Sequence, residues 1–212
     1  MSNLYTYVRA FASNRQKPRD AAAVFERDDA MVVVLADGAG GLRGGDEASR
    51  SFVAVVQSAL EDPAFATQEL REWIDLFHRT DAAFAANRTG ETTGVVVVLW
   101  PRGLFGVSTG DSQAWIIAPG RVDELTVGQH TKGRLGSNRV TPATFERPAL
   151  SGVLVMATDG LFDYAAVDVI ARIVRASAIG AAAERLIELI RLRSGKLADD
   201  VALVLVGRTA EC

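Results

Sequence analysis

The sequence is poor in several features, and each scarcity narrows the class of protein that it can encode. Its single cysteine is Cys212, so no disulfide framework can form, which favours a reducing, cytoplasmic setting. It has 23 lysines and arginines and 26 acidic residues, and no cluster of basic residues indicates a nucleic-acid-binding surface. The longest apolar runs, MVVVLA and VVVVLW, are too short to span a bilayer, and the N-terminus lacks a signal peptide's apolar core. We therefore expect a cytoplasmic protein that binds neither nucleic acid nor membrane.

The 212 residues have ordinary globular composition, and they contain no repeat, low-complexity segment or linker, so we expect 1–212 to form a single domain. Helical spacing of apolar residues predicts helices over 46–60 and 67–88 and two more within 165–193, broken near Gly180. Short valine-rich segments predict strands over 4–12, 20–26, 30–36, 93–100, 103–108, 112–118, 153–158 and 201–207.

The order of these elements bears on the fold class. Strands come first, two helices interrupt them, and further strands, helices and a last strand follow, without the regular alternation of a doubly wound parallel sheet. We expect antiparallel sheets with helices packed outside, with hairpins joining 93–100 to 103–108 and 103–108 to 112–118. The stretch 119–150 is predicted to be an irregular surface loop.

A glycine-rich turn, DGAGGLRGGDE, follows the apolar segment MVVVLA. Such turns often receive phosphates on backbone N–H groups, yet Asp37 at its mouth would repel a phosphate. The turn lacks the Gly-Lys-Ser/Thr of a phosphate-binding P-loop, and its glycine spacing does not fit a dinucleotide-binding fingerprint. Nucleotide binding is therefore a weak explanation for the glycines.

Aspartates stand at the ends of apolar strands at several places along the chain. A single one is typical of a turn or cap, but strand ends in one region of a sheet can converge. Converging carboxylates repel each other unless a hard divalent cation such as Mg²⁺ or Mn²⁺ lies between them. Glycines would then let backbone carbonyls and water approach the ion. The aspartates concerned are Asp37, Asp111, Asp159, Asp199 and Asp200.

Four segments, in the order LADGAGG, TGDSQAW, MATDGLFD and ADDVALVLV, resemble the motifs of protein phosphatase 2C-like, metal-dependent serine/threonine phosphatases. Upstream, NRQKPRDAAAVF is similar to that family's Arg-x-x-Asn-x-Asp opening, so the resemblance runs from about Arg15 to Val206. It implies an α+β fold in four layers, with two stacked antiparallel β-sheets flanked by α-helices on both faces. That architecture agrees with the order of elements.

The resemblance also implies a site that holds two Mn²⁺ or Mg²⁺ ions, with a third, weaker site in some members. Asp37 matches the carboxylate that bridges the two ions, Asp20 matches a residue that orients water, and Arg15 matches the arginine that holds the substrate phosphate. The resemblance therefore implies that the catalytic residues are Asp37, Asp159, Asp199 and Arg15. The implied metal ligands are Asp37, the Gly38 carbonyl, Asp159, Asp199 and, with Asp159 at the third site, Asp111.

Several positions depart from the family pattern. Pro18 and Arg19 replace the usual residues of the opening, and Ala39 stands where some members carry a histidine proposed as general acid. The flap, at about 128–146, is much shorter than usual, which suggests an open site. The basic residues of this stretch are predicted to lie on a solvated loop, with contact to an acidic phosphopeptide as the alternative; they are Lys132, Arg134 and Arg139.

We therefore expect a phosphatase that acts on phosphoserine and phosphothreonine in proteins, the targets of a serine/threonine kinase, and that is a monomer. The alternative is a catalytically weak or inactive module of the same fold that binds a partner or regulates it. A third hypothesis for the clustered carboxylates is a metal-dependent nuclease, and the lack of a basic groove is evidence against it.

Overall fold

The structure, a computed structural model, describes residues 4–39, 44–129 and 133–209. Its strands are β1 (Tyr5–Ala12), β2 (Asp20–Glu26), β3 (Met31–Asp37), β4 (Gly94–Trp100), β5 (Gly103–Thr109), β6 (Gln113–Ala118), β7 (Arg121–Glu124), β8 (Ala143–Arg147), β9 (Val153–Ala157) and β10 (Val201–Arg208). Its helices are α1 (Gly45–Glu61), α2 (Leu70–Asn87), α3 (Asp159–Phe162), α4 (Val167–Arg175) and α5 (Ile179–Leu189).

The strands form two five-stranded sheets in which all neighbours are antiparallel. One sheet has the order β1-β10-β9-β6-β7, and the other has the order β2-β3-β4-β5-β8. Since no pair needs a parallel crossover, the helices are free to pack outside the sheets.

The sequence of β3 shows why the sheets stack. Successive side chains of a strand point to opposite faces, and here both faces are apolar. Val33 and Leu35 belong to the core between the two sheets, whereas Val32 and Val34 pack against α1 and α2. A third core lies between the other sheet and the helices α3 to α5. The predicted four-layer α+β sandwich is therefore confirmed.

The predicted helices are confirmed, with one shift. The two helices expected within 165–193 are separated at 176–178, and Gly180 lies inside the first turn of α5. Ala176 ends α4 and Ala178 begins α5 in an extended conformation, so the break does not require a glycine. The short helix α3, directly after β9, was not predicted because it is too short for periodicity to reveal.

The hairpin predicted between 103–108 and 112–118 is wrong. β5 pairs with β4 and β8 in one sheet, whereas β6 pairs with β7 and β9 in the other. The connection at 110–112 thus crosses from one sheet to the other. A short turn between two apolar strands is typical of a hairpin, and only the burial of both strands in different sheets distinguishes the two cases.

The prediction that 119–150 is irregular is also wrong in part, since it contains β7 and β8. Both are edge strands, and edge strands carry charged residues that hide the alternation of a half-buried strand. Arg147 on β8 donates through Nε and Nη2 to the two carboxylate oxygens of Asp123 on β7, at 2.7 and 2.8 Å. This bidentate pair links the edges of the two sheets.

Within the described ranges, no helix combines the length and the apolar character needed to cross a membrane.

Candidate metal and phosphate site

The register of one sheet brings the first two carboxylates together. Asp20 begins β2 and lies directly opposite Asp37, the last residue of β3. By strand alternation Asp37 shares the face of Val33 and Leu35, so both aspartates lie at the end of the inter-sheet core. Like charges placed opposite each other on neighbouring strands destabilise a sheet. The two carboxyls can lie together only if one of them is protonated or a cation lies beside them.

The other sheet contributes the residues that follow β9 and precede β10. The Thr158 hydroxyl donates to Oδ2 of Asp20 at 2.7 Å and accepts from the backbone N–H of Ala202 at 3.0 Å. Asp159 follows at the start of α3, and Asp200 precedes β10. Thr158 is fully buried, so this contact joins the two sheets at the site.

Asp111 reaches the site because the chain crosses between sheets at this point. Carboxylate oxygens of Asp37, Asp111 and Asp159 lie within 4.8 Å of one another. Asp199 is more exposed and stands apart from this cluster, with Oδ1 accepting from the backbone N–H of Asp200 at 2.8 Å. The convergence expected from the sequence is confirmed for three of the aspartates by this distance.

These residues surround a small cleft of about 80 Å³, which has room for a few water molecules or ions. Its lining is almost entirely polar. The lining residues are Arg19, Asp20, Asp37, Gly38, Ala39, Arg134, Asp159, Asp199 and Asp200.

Burial in this cleft makes the carboxylates hard to ionise together. Burial is the main cause that raises the pKa of Asp37 to about 10, and the nearby charges of Asp20 and Asp159 raise it further. Burial also raises the pKa of Asp20 to about 7, although the hydrogen bond from Thr158 opposes the shift. The pKa of Asp159 is raised as well, by burial and then by Asp111. Protonation therefore relieves the repulsion in the metal-free site, and a bound cation would favour the ionised carboxylates instead.

Close packing of the backbone explains glycines in the turn after β3. A Cβ atom on Gly38 would lie 2.2 Å from the carbonyl oxygen of Gly45 at the start of α1. On the other side, the Gly38 N–H donates to the Arg19 carbonyl at 3.2 Å. Gly38 is therefore enclosed between α1 and the segment that leads into β2, beside Asp37 in the cleft.

Arg15 lies at the rim of the site and not in the cleft lining. Its Nε is 3.3 Å from Oδ2 of Asp200, and its side chain is 47% exposed. Asp200 also accepts from the Ser13 hydroxyl at 2.5 Å and from the backbone N–H of Arg19 at 3.1 Å. The guanidinium is thus oriented by a buried carboxylate and keeps N–H groups available on its exposed side. The Arg19 backbone, through that N–H and its carbonyl, helps to build the site.

Three residues that build the site or its loop were not identified from the sequence, and they are Thr158, Arg134 and Asp81. Arg134 is not on a solvated loop as predicted, because its Nη2 lies 2.9 Å from Oδ2 of Asp111 and it lines the cleft. Asp81 is buried on α2, between the core residues Phe77 and Phe84. An acidic residue on an apolar helix face was a visible signal for Asp81, whereas no local pattern marks Arg134. Lys132, part of the same prediction, lies outside the described residues.

No protein-family model matches the chain, and no curated protein matches it. Solved structures do. Serine/threonine phosphatase Stp1 from Staphylococcus aureus superposes with a TM-score of 0.81 at 21% identity, over 98% of this chain and 95% of that one. The S. agalactiae serine/threonine phosphatase gives 0.81 at 21% identity, over 95% and 98%. The catalytic domain of the phosphatase PstP, in complex with two manganese ions, gives 0.76 at 22% identity, over 98% and 99%.

The chain has the fold of these bacterial phosphatases. The fold expected from the resemblance to protein phosphatase 2C-like enzymes is thereby confirmed over nearly the whole chain. The residues of the cleft also fit divalent cations on their own chemistry. Carboxylate oxygens are the ligands that Mg²⁺ and Mn²⁺ prefer, and a bound cation would offset the burial that raises the pKa of Asp37.

The raised pKa values predict that the metal-free protein loses stability as pH rises. The folded-state pKa of Asp37, about 10, lies above its ordinary value of 3.8, so its contribution is fully present below pH 3.8 and is lost progressively towards pH 10. In EDTA, the melting temperature should fall between pH 5 and pH 8, by about 2–4 °C for each kcal/mol lost. Asp37→Asn should flatten this dependence, and Mn²⁺ should restore stability at pH 8.

The exposed Asp168 on α4 supplies the matched control, since Asp168→Asn removes a carboxylate away from the cleft. Its melting temperature should follow that of the wild type across the same pH range. A wild-type melting temperature that is flat or rises from pH 5 to pH 8 in EDTA would contradict the prediction.

Proposed function

We propose that the chain is a metal-dependent phosphatase that hydrolyses phosphoserine and phosphothreonine in proteins. The observation that carries the proposal is the convergence of Asp37, Asp111 and Asp159 within 4.8 Å, at a polar cleft that Asp37 and Asp159 line. Support comes from the shared fold with bacterial serine/threonine phosphatases, one of which is in complex with two manganese ions.

The aspartates of the cleft would hold two Mn²⁺ or Mg²⁺ ions. Asp37, Asp159 and Asp199 line the cleft, with Gly38 beside Asp37, and their carboxylates and the Gly38 carbonyl would be the ligands of these ions. When bound, such ions supply an activated water and stabilise negative charge on the phosphoryl group.

The remaining residues would orient the reactants. Thr158 fixes one oxygen of Asp20, and Asp20 would orient a water next to the ions. Arg15 would bind the phosphate with the N–H groups that its contact with Asp200 leaves available. Ala39 has no side chain that can transfer a proton, so a water would protonate the departing serine or threonine oxygen.

The experiment that tests this function is hydrolysis of an aryl phosphate and of a phosphothreonine peptide with Mn²⁺, with Mg²⁺ and with EDTA. Turnover that depends on the metal supports the phosphatase. Binding of a phosphopeptide without turnover under any metal would favour the alternative, a catalytically inactive module of the same fold. Cleavage of nucleic acid in place of phosphopeptide would favour the nuclease.

Arg15→Ala is expected to raise KM more than it lowers kcat, because a phosphate contact exists in both the ground state and the transition state. A charged hydrogen-bonded contact is worth roughly 1.5–3 kcal/mol, so kcat/KM should fall by about ten- to a hundredfold. Steady-state kinetics on a phosphothreonine peptide measures both constants. Arg172→Ala, an exposed arginine on α4, serves as the matched control. An unchanged KM would show that Arg15 does not bind the phosphate.

We extend the proposal to the setting of the enzyme. Residues 1–212 would form one domain with a shortened flap at about 128–146, of which 130–132 lie outside the described residues. The protein would act as a cytoplasmic monomer on targets of a serine/threonine kinase in a signalling pathway, without binding nucleic acid or membrane. Its preference between Mn²⁺ and Mg²⁺ follows from the same assay.

A further inference from the structure

Arg134 introduces a fixed positive charge next to the carboxylate cluster. Its Nη2 lies 2.9 Å from Oδ2 of Asp111, and both side chains are about one-third exposed, at 35% and 31%. Guanidinium stays protonated at any pH that a folded protein tolerates, so it cannot yield its place by losing a proton. Asp111 is therefore the member of the cluster whose charge is already balanced by the protein itself.

The Asp111 carboxylate would be a ligand of a third cation but not of the first two. Oxygens of Asp111 and Asp159 lie within 4.8 Å of each other, a separation that a single ion could bridge. An ion there would lie beside the guanidinium, which repels it at close range in a partly buried site. Asp111 would then have to exchange Arg134 for the ion.

The backbone on both sides of Arg134 is held firmly, so the side chain cannot leave by movement of its loop. The carbonyl of Gly133 accepts a hydrogen bond from the Thr109 hydroxyl. Leu135 pairs with Thr92 through two backbone hydrogen bonds, of 2.9 and 3.1 Å. The loop is thus tied to the end of β5 and to the segment that leads into β4.

Asp81 fixes the next part of the loop. Its Oδ1 accepts from the backbone N–H groups of Gly136 and Asn138, at 2.8 and 2.9 Å, and its Oδ2 accepts from that of Val140 at 3.0 Å. A carboxylate that binds three N–H groups at every second residue in this way holds the loop against α2. Asp81 is therefore a positioning residue for Arg134.

Two buried atoms of the Arg134–Asp111 pair indicate where an ion could replace the guanidinium. Oδ1 of Asp111 and Nε of Arg134 have no hydrogen-bond partner in the part of the chain that the structure describes. Buried polar atoms normally find partners, and here the pair makes a single hydrogen bond, from Nη2 to Oδ2, in place of a bidentate one. The pair balances charge but leaves donor and acceptor capacity unused.

We propose that the Arg134 guanidinium takes the place of a third cation, so that the cleft binds two divalent ions with high affinity and excludes another at Asp111. The proposal rests on the function proposed above, because it assumes that the other aspartates hold two ions. It assigns to the short flap a residue that determines metal stoichiometry.

The test counts Mn²⁺ ions by isothermal titration calorimetry and by electron paramagnetic resonance of the free ion. Wild-type protein should bind two ions, and Arg134→Gln should bind three, with affinity for the last at least about tenfold above any third binding by the wild type. Arg134→Lys keeps a cation at the position and should bind two. Arg139→Gln removes an exposed charge from the same loop, is the matched control, and should also bind two. Adding Asp111→Asn to Arg134→Gln should abolish the third ion.

The outcomes separate this inference from the function on which it rests. Three ions on the wild type with similar affinity, or two on a folded Arg134→Gln protein, would overturn the role of Arg134 and leave the phosphatase intact. No Mn²⁺ binding and no hydrolysis by the wild type would overturn both. A melting curve for each variant identifies misfolding, and if Arg134→Gln does not fold, three ions on the wild type or on Arg134→Lys would still contradict the proposal.

Discussion

Asp37→Ala and Asp159→Ala are each expected to reduce phosphate hydrolysis by at least about a thousandfold, because each removes a ligand of ions that generate the nucleophile. Both carboxylates belong to the cluster within 4.8 Å, so their loss also lowers metal affinity. The variants should remain folded. Asp37 is hard to ionise in the metal-free site, where its pKa is raised to about 10, so its removal should stabilise the metal-free protein at neutral pH.

Turnover of a phosphothreonine peptide and Mn²⁺ binding are measured on the same preparations, with melting curves in EDTA. Asp168→Ala, which removes an exposed carboxylate on α4, should keep wild-type turnover. Wild-type turnover by either Asp37→Ala or Asp159→Ala, or by the wild type in EDTA, would refute the metal-dependent mechanism. A variant that fails to fold would contradict the expected gain in stability.

Asp81→Ala is expected to lower the free energy of unfolding by about 3 kcal/mol. Asp81 is 5% exposed and accepts from the backbone N–H groups of Gly136, Asn138 and Val140. Hydrogen bonds to a charged group are worth roughly 1.5–3 kcal/mol each, and the sum is reduced because part of the loop can reach water after the change. The melting temperature should fall by about 6–12 °C.

Urea denaturation measures the free energy directly, and Asp75→Ala is the matched control on the same helix. Asp75 is exposed and makes an ion pair with Arg71 at 4.0 Å, so its removal should change stability by less than about 0.5 kcal/mol. Asp81→Asn keeps one acceptor oxygen and should give an intermediate loss. Equal stability of Asp81→Ala and Asp75→Ala would show that the three hydrogen bonds contribute nothing net.

Local pattern was sufficient for most of the elements. Valine-rich runs that are apolar on both faces, as in β3 and β4, predicted buried strands because burial of both faces demands such a composition. The helical spacing of Phe52 and Val56 on α1 predicted the face that packs on the sheet. The edge strands β7 and β8 were missed because they carry charged residues at the edges of the sheets and lack a regular spacing of apolar residues.

Local pattern was not sufficient to predict which strands pair with each other. The segment around Asp111 has the composition of a hairpin turn, yet it crosses between sheets, because β5 pairs with β4 and β8 whereas β6 pairs with β7 and β9. That crossing brings Asp111 to Asp37 and Asp159. A pattern of residues cannot decide it, because pairing depends on which surfaces remain uncovered after all strands have found partners.

The sequence by itself determined most of the helices and strands and the aspartates at the strand ends, because secondary-structure period and residue chemistry are local properties, and its motifs implied the layered α+β fold through their resemblance to a known family. Only the tertiary structure decided that Asp20 lies opposite Asp37, that Asp81 holds the short flap and that Arg134 pairs with Asp111. Each of these joins residues far apart in the chain. Their separation after folding is fixed by strand register and close packing, which no single segment encodes.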